Sequence, residues 1–90
     1  MFDKILTMLD KCDPVDMNYD YFNDEDDKEI CITVKVKDNI FDFYRKPEAL
    51  KKVLWFLKKE CDIFEKYRDD GAPAFEFIFE DFTVFVGMYY

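Results

Sequence analysis

The sequence has 90 residues, enough for one domain, and it is acidic, with 21 Asp or Glu against 13 Lys or Arg and a formal net charge of −8. Its 11 Phe, 6 Tyr and 1 Trp supply a large apolar area, so we expect one core that needs no metal or disulfide. The absence of His and Ser excludes the usual nucleophile–base pairs, and two Gly are too few for a phosphate-binding loop, so we predict no enzyme activity and no cofactor.

Residues 1–12 predict a short amphipathic helix. Four of its apolar residues recur at the spacing of one helix face: Phe2, Ile5, Leu6 and Leu9. Asp13-Pro14 should end this helix, because a residue before proline avoids helical geometry. The stretch carries acidic residues and lacks a small-residue cleavage site, so we interpret it as a helix and not as a signal peptide.

Residues 13–29 form an acidic segment with eight Asp or Glu and one Lys. Such a run is typical of a solvated loop, which is our first interpretation. One alternative is a calcium loop, because five residues occupy ligand positions of an EF-hand, although the usual Gly and final Glu are missing: Asp16, Asn18, Asp20, Asp24 and Asp27. The other alternative is mimicry of a nucleic-acid strand, in which carboxylates imitate phosphates and the interleaved aromatic rings imitate stacking surfaces.

Residues 29–37 alternate between apolar and polar side chains, which predicts a strand with one buried face. The inward side chains are Ile30, Ile32, Val34 and Val36. Asp38-Asn39 is a two-residue turn signal, so we predict a hairpin in which the chain returns beside this strand. The predicted pairs are Val34 with Phe43, Val36 with Phe41, and Lys35 with Asp42.

Residues 47–70 predict one long amphipathic helix. Its apolar stripe contains Leu50, Val53, Leu54, Leu57, Cys61 and Phe64. Pro47 suits the first turn and Gly71 suits a left-handed C-terminal turn. The opposite face is basic, and residues 45–68 carry eight Lys or Arg against four Asp or Glu, a net charge of +4.

Trp55 projects from the charged face of this helix. Either another segment covers it, or it forms an exposed anchor for a partner, since Trp is enriched at interfaces. The surrounding lysines suit phosphate binding, but we interpret them as a solvated face because the acidic remainder of the chain repels nucleic acid.

Residues 75–89 predict a second hairpin with its turn at Glu80-Asp81. The predicted pairs are Phe79 with Phe82, Phe77 with Val84, and Phe75 with Val86, and a one-residue slip is the alternative. Ile78, Phe85 and Tyr89 then lie on the other face, either as an exposed patch or beneath the first helix.

The order α-β-β-α-β-β predicts an α+β domain with a mainly antiparallel four-stranded sheet and the long helix packed on one face. No apolar run reaches the length of a membrane span. The three cysteines Cys12, Cys31 and Cys61 are an odd count without close spacing, so we expect reduced thiols that pack as small apolar groups, no metal site, and a cytoplasmic location.

In size, acidity, aromatic content and lack of catalytic groups, the chain resembles small intracellular inhibitors such as phage anti-CRISPR and anti-restriction proteins and nuclease immunity proteins. This resemblance of class implies binding to the basic surface of a nucleic-acid-binding enzyme whose groove the chain blocks, with no direct binding of nucleic acid or membrane. The alternatives are an immunity or antitoxin partner of a toxic enzyme, and a homodimeric assembly subunit. The predicted partner-binding residues are Asp16, Asp20, Tyr21, Asp24, Glu25, Asp26, Asp27, Trp55, Ile78 and Phe85.

Overall fold

The computed structural model describes residues 1–14, 17–35, 48–69 and 72–89. Within these ranges the chain forms two helices, α1 (Phe2–Asp10) and α2 (Glu48–Glu60). The strands are β1 (Met17–Asn23), β2 (Lys28–Lys35), β3 (Ile63–Asp69), β4 (Ala72–Ile78) and β5 (Thr83–Tyr89). The predicted α+β class is confirmed, while the predicted sheet of four strands is wrong because the described residues alone form five.

The five strands form one mixed sheet in the order β1-β2-β5-β4-β3. Strand β1 pairs antiparallel with β2, and β4 pairs antiparallel with both β5 and β3. The central pair of β2 and β5 is parallel, with Ile30 opposite Val84 and Ile32 opposite Val86. Two antiparallel units are therefore joined by one parallel contact, which the sequence pattern did not predict.

Both helices pack against the same face of the sheet, which we call the first face. The buried residues of this face include Ile30, Ile32, Val34, Phe77, Val84 and Val86. The helices add Phe2, Ile5 and Leu9 from α1, and Leu50, Val53, Leu54 and Leu57 from α2. Burying one such side chain stabilises the fold by about 1.5–3 kcal/mol. The cluster is mainly aliphatic, and its buried aromatic residues are Phe2, Phe77, Phe79 and Phe82.

The second hairpin has the predicted register. Its three predicted pairs are found: Phe75 with Val86, Phe77 with Val84, and Phe79 with Phe82. The backbone N–H of Phe79 donates to the carbonyl of Phe82 at 2.9 Å, and the two rings stack with centroids 4.5 Å apart. These contacts close the turn at Glu80-Asp81, and the alternating buried residues fix the register, since a one-residue slip would reverse both faces.

The first hairpin was predicted wrongly where the structure tests it. Strand β2 has neighbours on both sides at Val34, which lies opposite Met17 of β1 and Met88 of β5. A pairing of Val34 with Phe43 is therefore excluded. The predicted turn and the returning half of that hairpin fall within residues 36–47, which lie outside the described residues.

The long helix was predicted wrongly beyond Glu60. Helix α2 ends at this residue, and the chain then forms the edge strand β3, which pairs with β4 along its length. The N–H of Asp62 donates to the carbonyl of Ile78 at 2.8 Å, where this pairing begins. Ile63, Phe64 and Tyr67 are of residue types that are enriched in strands, and here the pairing with β4 prevails over the helical spacing.

The acidic segment was predicted as a loop, yet its Met17–Asn23 stretch forms β1. Met17 is buried and Tyr19 packs against the core, which explains why this polar sequence joins the sheet. Met17–Asn23 is extended, so this described part of the segment does not have the loop geometry of an EF-hand. Asp16, its proposed first ligand, lies outside the described residues.

Helix α1 is confirmed, with Phe2, Ile5 and Leu9 buried as its spacing predicts. It is attached to β1 by the hydroxyl of Tyr19, which donates a hydrogen bond to a carboxylate oxygen of Asp10. Neither of the described helices is long and apolar enough to cross a membrane.

We expect the Tyr19–Asp10 contact to show as a late tyrosine titration. The hydrogen bond to Asp10, with burial and the nearby negative charge, raises the pKa of Tyr19 from 10.0 to about 12. The contribution of this contact to the free energy of unfolding is therefore complete below pH 10.0, and it is lost as the pH rises through about 12. Subtracting the tyrosinate absorbance of Tyr19→Phe from that of the parent should give a titration with a midpoint near pH 12. A difference curve centred at pH 10.0 would contradict the contact.

Candidate functional site

The hairpin of β1 and β2 ends in an exposed acidic turn. The N–H of Asp24 donates to the carbonyl of Asp27 at 2.9 Å, so Glu25 and Asp26 occupy the centre of the turn. All four carboxylates of this turn are exposed. Residues 17–35, which we call the acidic hairpin, contain six Asp or Glu and two Lys, and this net charge of −4 is half of the total for the chain.

The β4–β5 hairpin ends in a turn of the same construction. It is closed by the hydrogen bond from Phe79 to Phe82, and its two central residues are again a Glu-Asp pair, Glu80-Asp81. From the sequence alone this pair is an ordinary solvated turn. In the structure both of its side chains are exposed, like those of the first turn.

The parallel pairing of β2 and β5 places the two acidic turns at the same end of the sheet. Each turn directly precedes one of these strands, and Glu29 lies opposite Thr83 just after the turns. Because strands are about 4.8 Å apart, the centres of turns that each span a neighbouring strand pair lie about 10 Å from one another. We call this surface the acidic end: Asp24, Glu25, Asp26, Asp27, Glu80 and Asp81.

Few cations moderate the charge of the acidic end. Among the described residues, no Lys or Arg forms an ion pair with its six carboxylates. Lys28 is the nearest basic residue in sequence, but its ammonium lies over the ring of Phe2, 5.0 Å from the centroid. Like charges held together in this way repel one another, so the acidic end favours contact with a positively charged surface.

The strand β1 beside the acidic end is an edge strand with exposed aromatic residues. Tyr21 is 53% exposed and Phe22 is 50% exposed, and the two point to opposite faces of the sheet. Tyr21 meets the edge of the Phe2 ring at 6.1 Å between centroids, which holds it in place on the first face. Within the described part of the chain, no strand pairs with the outer side of β1.

The predicted partner-binding residues divide among separate surfaces. Asp24, Glu25, Asp26 and Asp27 lie in the acidic end, and Tyr21 lies beside it. Asp20, Phe85 and Ile78 lie on the sheet face opposite the helices, which we call the second face. Asp16 and the side chain of Tyr89 lie outside the described residues.

The second face combines acidic and apolar residues. Cys31 lies between Asp20 and Phe85 across three neighbouring strands, and both Phe85 and Ile78 are half-buried. Burial, reinforced by the negative charges of Glu29 and Asp20, raises the pKa of the Cys31 thiol, which favours the thiol over the thiolate. The prediction that Ile78 and Phe85 share this face is confirmed, and α1 does not cover them because it packs on the first face.

Trp55 lies apart from the acidic end, on α2 beside the far edge of the sheet. It is 73% exposed, so the interpretation that another described segment covers it is wrong. Its neighbours are the strands β3 and β4, and it does not join the hairpin residues in one site. The predicted residues that the structure describes therefore lie on three separate surfaces: the acidic end with Tyr21 beside it, the second face, and the exposed side of α2 at Trp55.

The structure adds residues that the sequence interpretation missed. Glu80 and Asp81 extend the acidic end, and Phe22 stands beside Tyr21. Ile63, 51% exposed, adds an apolar residue to the second face. The alternation of residues 17–22 was the available signal for β1, whereas nothing local in the sequence indicates that β2 meets β5.

Among the described residues, no group of three or more Cys, Asp or Glu is arranged to hold a metal ion, and the cysteines Cys12, Cys31 and Cys61 are free.

Comparison with models of protein families, with characterised proteins and with solved structures found no match to this chain.

We expect repulsion among the carboxylates of the acidic end to lower the free energy of unfolding, so that replacing them by neutral amides raises it. Glu25→Gln/Asp26→Asn and Glu80→Gln/Asp81→Asn should each raise the free energy of unfolding by about 0.2–1 kcal/mol at low salt. The gain should vanish at high salt, because exposed charges are then screened. Urea unfolding at two salt concentrations measures it.

The matched control is Glu48→Gln/Glu65→Gln, which also removes two exposed negative charges. Glu48 lies 3.8 Å from Lys51 and in the first turn of α2, where a negative charge favours the helix dipole. The control should therefore give no gain. Equal gains in the control and in the two turn variants would contradict a local repulsion at the acidic end.

Proposed function

We propose that this chain is a small acidic binding protein that inhibits a nucleic-acid-binding enzyme by occupying its basic groove. The observation that carries the proposal is the convergence of two exposed Glu-Asp turns at one end of the sheet, beside an edge strand with two exposed aromatic residues. The role is binding and not catalysis, because the sequence lacks His and Ser.

The charge of the acidic end supports this role. The four carboxylates of residues 24–27 lie within one tight turn, in which the first and fourth Cα atoms are less than about 7 Å apart. One strand of a duplex carries a phosphate about every 3.4 Å along its axis, so the turn groups its charges as closely as neighbouring phosphates are grouped. The Glu80-Asp81 pair supplies a second group of charges about 10 Å away.

The aromatic residues of β1 supply the second feature of a nucleic-acid strand. Proteins that bind single strands combine a basic groove with side chains that stack on bases. Tyr21 and Phe22 are both about half exposed and follow directly from Asp20 along the same strand. A groove of the target that binds both phosphates and bases would therefore meet both negative charges and aromatic rings along β1.

The net charge of −8 favours the encounter with such a target. An acidic surface is steered toward a basic one, which raises the association rate and disfavours binding to other acidic surfaces. The same field repels nucleic acid, so the chain competes with nucleic acid and does not bind it. We place this inhibitor in the cytoplasm, which for a phage protein is that of the host, where its free thiols stay reduced.

A toxic enzyme is the alternative target, with the chain acting as its immunity or antitoxin partner. The same acidic end would then cover a nuclease site, so the chemistry of recognition is shared. The activity of the captured enzyme distinguishes the two roles.

A homodimeric assembly subunit is a second candidate, favoured by the second face. Phe85 and Ile78 are half-buried there, and Phe22 and Ile63 are half exposed on the same face. Phe85→Lys should convert such a dimer to a folded monomer in sedimentation. A parent chain that is already monomeric at high concentration excludes this candidate.

The proposed inhibition is tested by capture followed by competition. A lysate is passed over three immobilised proteins: the parent, the turn variant Glu25→Gln/Asp26→Asn, and the control Glu48→Gln/Glu65→Gln. A nucleic-acid-binding protein that the parent retains is then purified. We expect the turn variant to bind this protein about 3- to 30-fold more weakly, as the loss of two exposed charge pairs requires. The control should match the parent, and added salt should weaken both.

The purified target is then titrated with its own nucleic acid in the presence of the chain. Mutually exclusive binding supports occlusion of the groove. Equal affinity of the parent and the turn variant, or simultaneous binding of the chain and the nucleic acid, would exclude it.

A further inference from the structure

A groove lies on the first face between α2 and the edge strand β3, at the side of the sheet opposite the acidic hairpin. It encloses about 550 Å³ and is lined by Lys51, Leu54, Trp55, Lys58, Phe64, Lys66, Phe75 and Phe77. The four α2 residues of this set are spaced as one helix face, and the other four come from adjacent positions on β3 and β4. The volume falls within the range of about 300–1,000 Å³ in which proteins hold small ligands.

The floor of the groove is aromatic. The ring of Phe64 stacks on Phe75 at 5.9 Å between centroids and tilts against Phe77 at 5.0 Å. Phe64 and Phe75 are only partly buried, so these rings present an apolar surface to whatever enters. Trp55, 73% exposed, forms the wall on the α2 side.

The rim of the groove is basic, although the chain is strongly acidic. Three lysines line it, and among the described residues that line it there is no Asp or Glu. The Lys58 ammonium lies 4.8 Å from the centroid of Phe64, directly above the floor. Lys51 meets Glu48 at 3.8 Å, but that glutamate is 80% exposed, so the pair is weak. Positive charges above apolar rings match a ligand with an anionic head and an apolar body.

The overall charge of the chain decides between kinds of anion. A nucleic acid brings many phosphates into a field set by a net charge of −8 and is repelled along its length. A ligand with one negative charge is repelled only at that charge, while its apolar body is stabilised because the aromatic floor removes it from water. The field and the groove together favour a small monoanion.

We propose that this groove binds an amphiphilic monocarboxylate, with the carboxylate held by Lys58 and Lys66 and the apolar body lying on Phe64, Phe75 and Phe77 beside Trp55. This site is independent of the acidic end, so it stands whether or not the chain inhibits an enzyme.

The test uses the fluorescence of Trp55, the one tryptophan of the sequence. Decanoate, decanol and decylammonium have the same apolar chain and differ in the charge of the head. Titration with decanoate below its micelle concentration should shift the Trp55 emission to the blue, because the exposed indole becomes buried. Decanol should bind about tenfold more weakly, as loss of one charge-assisted contact requires, and decylammonium more weakly still.

Two double variants locate the carboxylate. Lys58→Gln/Lys66→Gln should weaken decanoate binding about tenfold and leave decanol binding unchanged. The control Lys52→Gln/Lys59→Gln removes two exposed lysines of α2 that do not line the groove, so it should bind both ligands like the parent.

Several results would overturn the proposal. These are equal binding of decanoate and decanol, equal effects of the two double variants, or no emission shift with decanoate. Displacement of decanoate by a short oligothymidylate would assign the groove to nucleic acid. A blue shift that grows with protein concentration alone would assign it to a second copy of the chain.

Discussion

The parallel pairing of β2 with β5 is the contact on which the rest of this structure depends. It joins two antiparallel units, β1–β2 and β3–β4–β5, that would otherwise be separate small sheets. It aligns Ile30, Ile32 and Val34 with the apolar residues of β5, so one continuous face is available for both helices. Parallel neighbours need a long connection, which here contains α2 and the β3–β4 pair. The helix that covers the sheet and the strands that widen it are thus consequences of the same pairing.

The charge distribution follows from this topology. Because β2 and β5 run in the same direction, the turns that precede them meet at one end, and each has a Glu-Asp pair at its centre. The basic residues of α2 and β3 lie toward the other edge, where Lys58 and Lys66 border an aromatic groove. One short chain therefore has an anionic end, for which we propose a basic macromolecule as partner, and a cationic groove, for which we propose a small anion as ligand. The two surfaces use different elements, so each can be altered without the other.

What the sequence could predict was local. The alternation of residues 75–86 determined the β4–β5 register, and helical spacing identified α1 and the thirteen residues of α2, Glu48–Glu60. The sequence predictions were wrong where one stretch fits both a helix and a strand, or where the pairing partner of a strand is distant in the sequence. Residues 61–69 fit a helical stripe, but Ile63–Asp69 pairs with β4 along its whole length. The contact between β2 and β5 joins residues more than fifty positions apart, for example Glu29 and Thr83, and no local feature encodes it. Asp24–Asp27 are predicted from the sequence as partner-binding residues, and this stays a prediction, whereas the position of Glu80 and Asp81 beside them required the fold.

The most direct test of this account is the direction of the central strand pair, measured by nuclear Overhauser effects in the isotopically labelled chain. We expect backbone contacts of Ile30 with Val84 and of Ile32 with Val86, in the same order along both strands. Contacts between β2 and β5 that run in the opposite order would contradict the account. The absence of contacts between β2 and β5, together with a pairing of Val34 to Phe43, would also contradict it. The two acidic turns would then lie apart, and the acidic end would not exist.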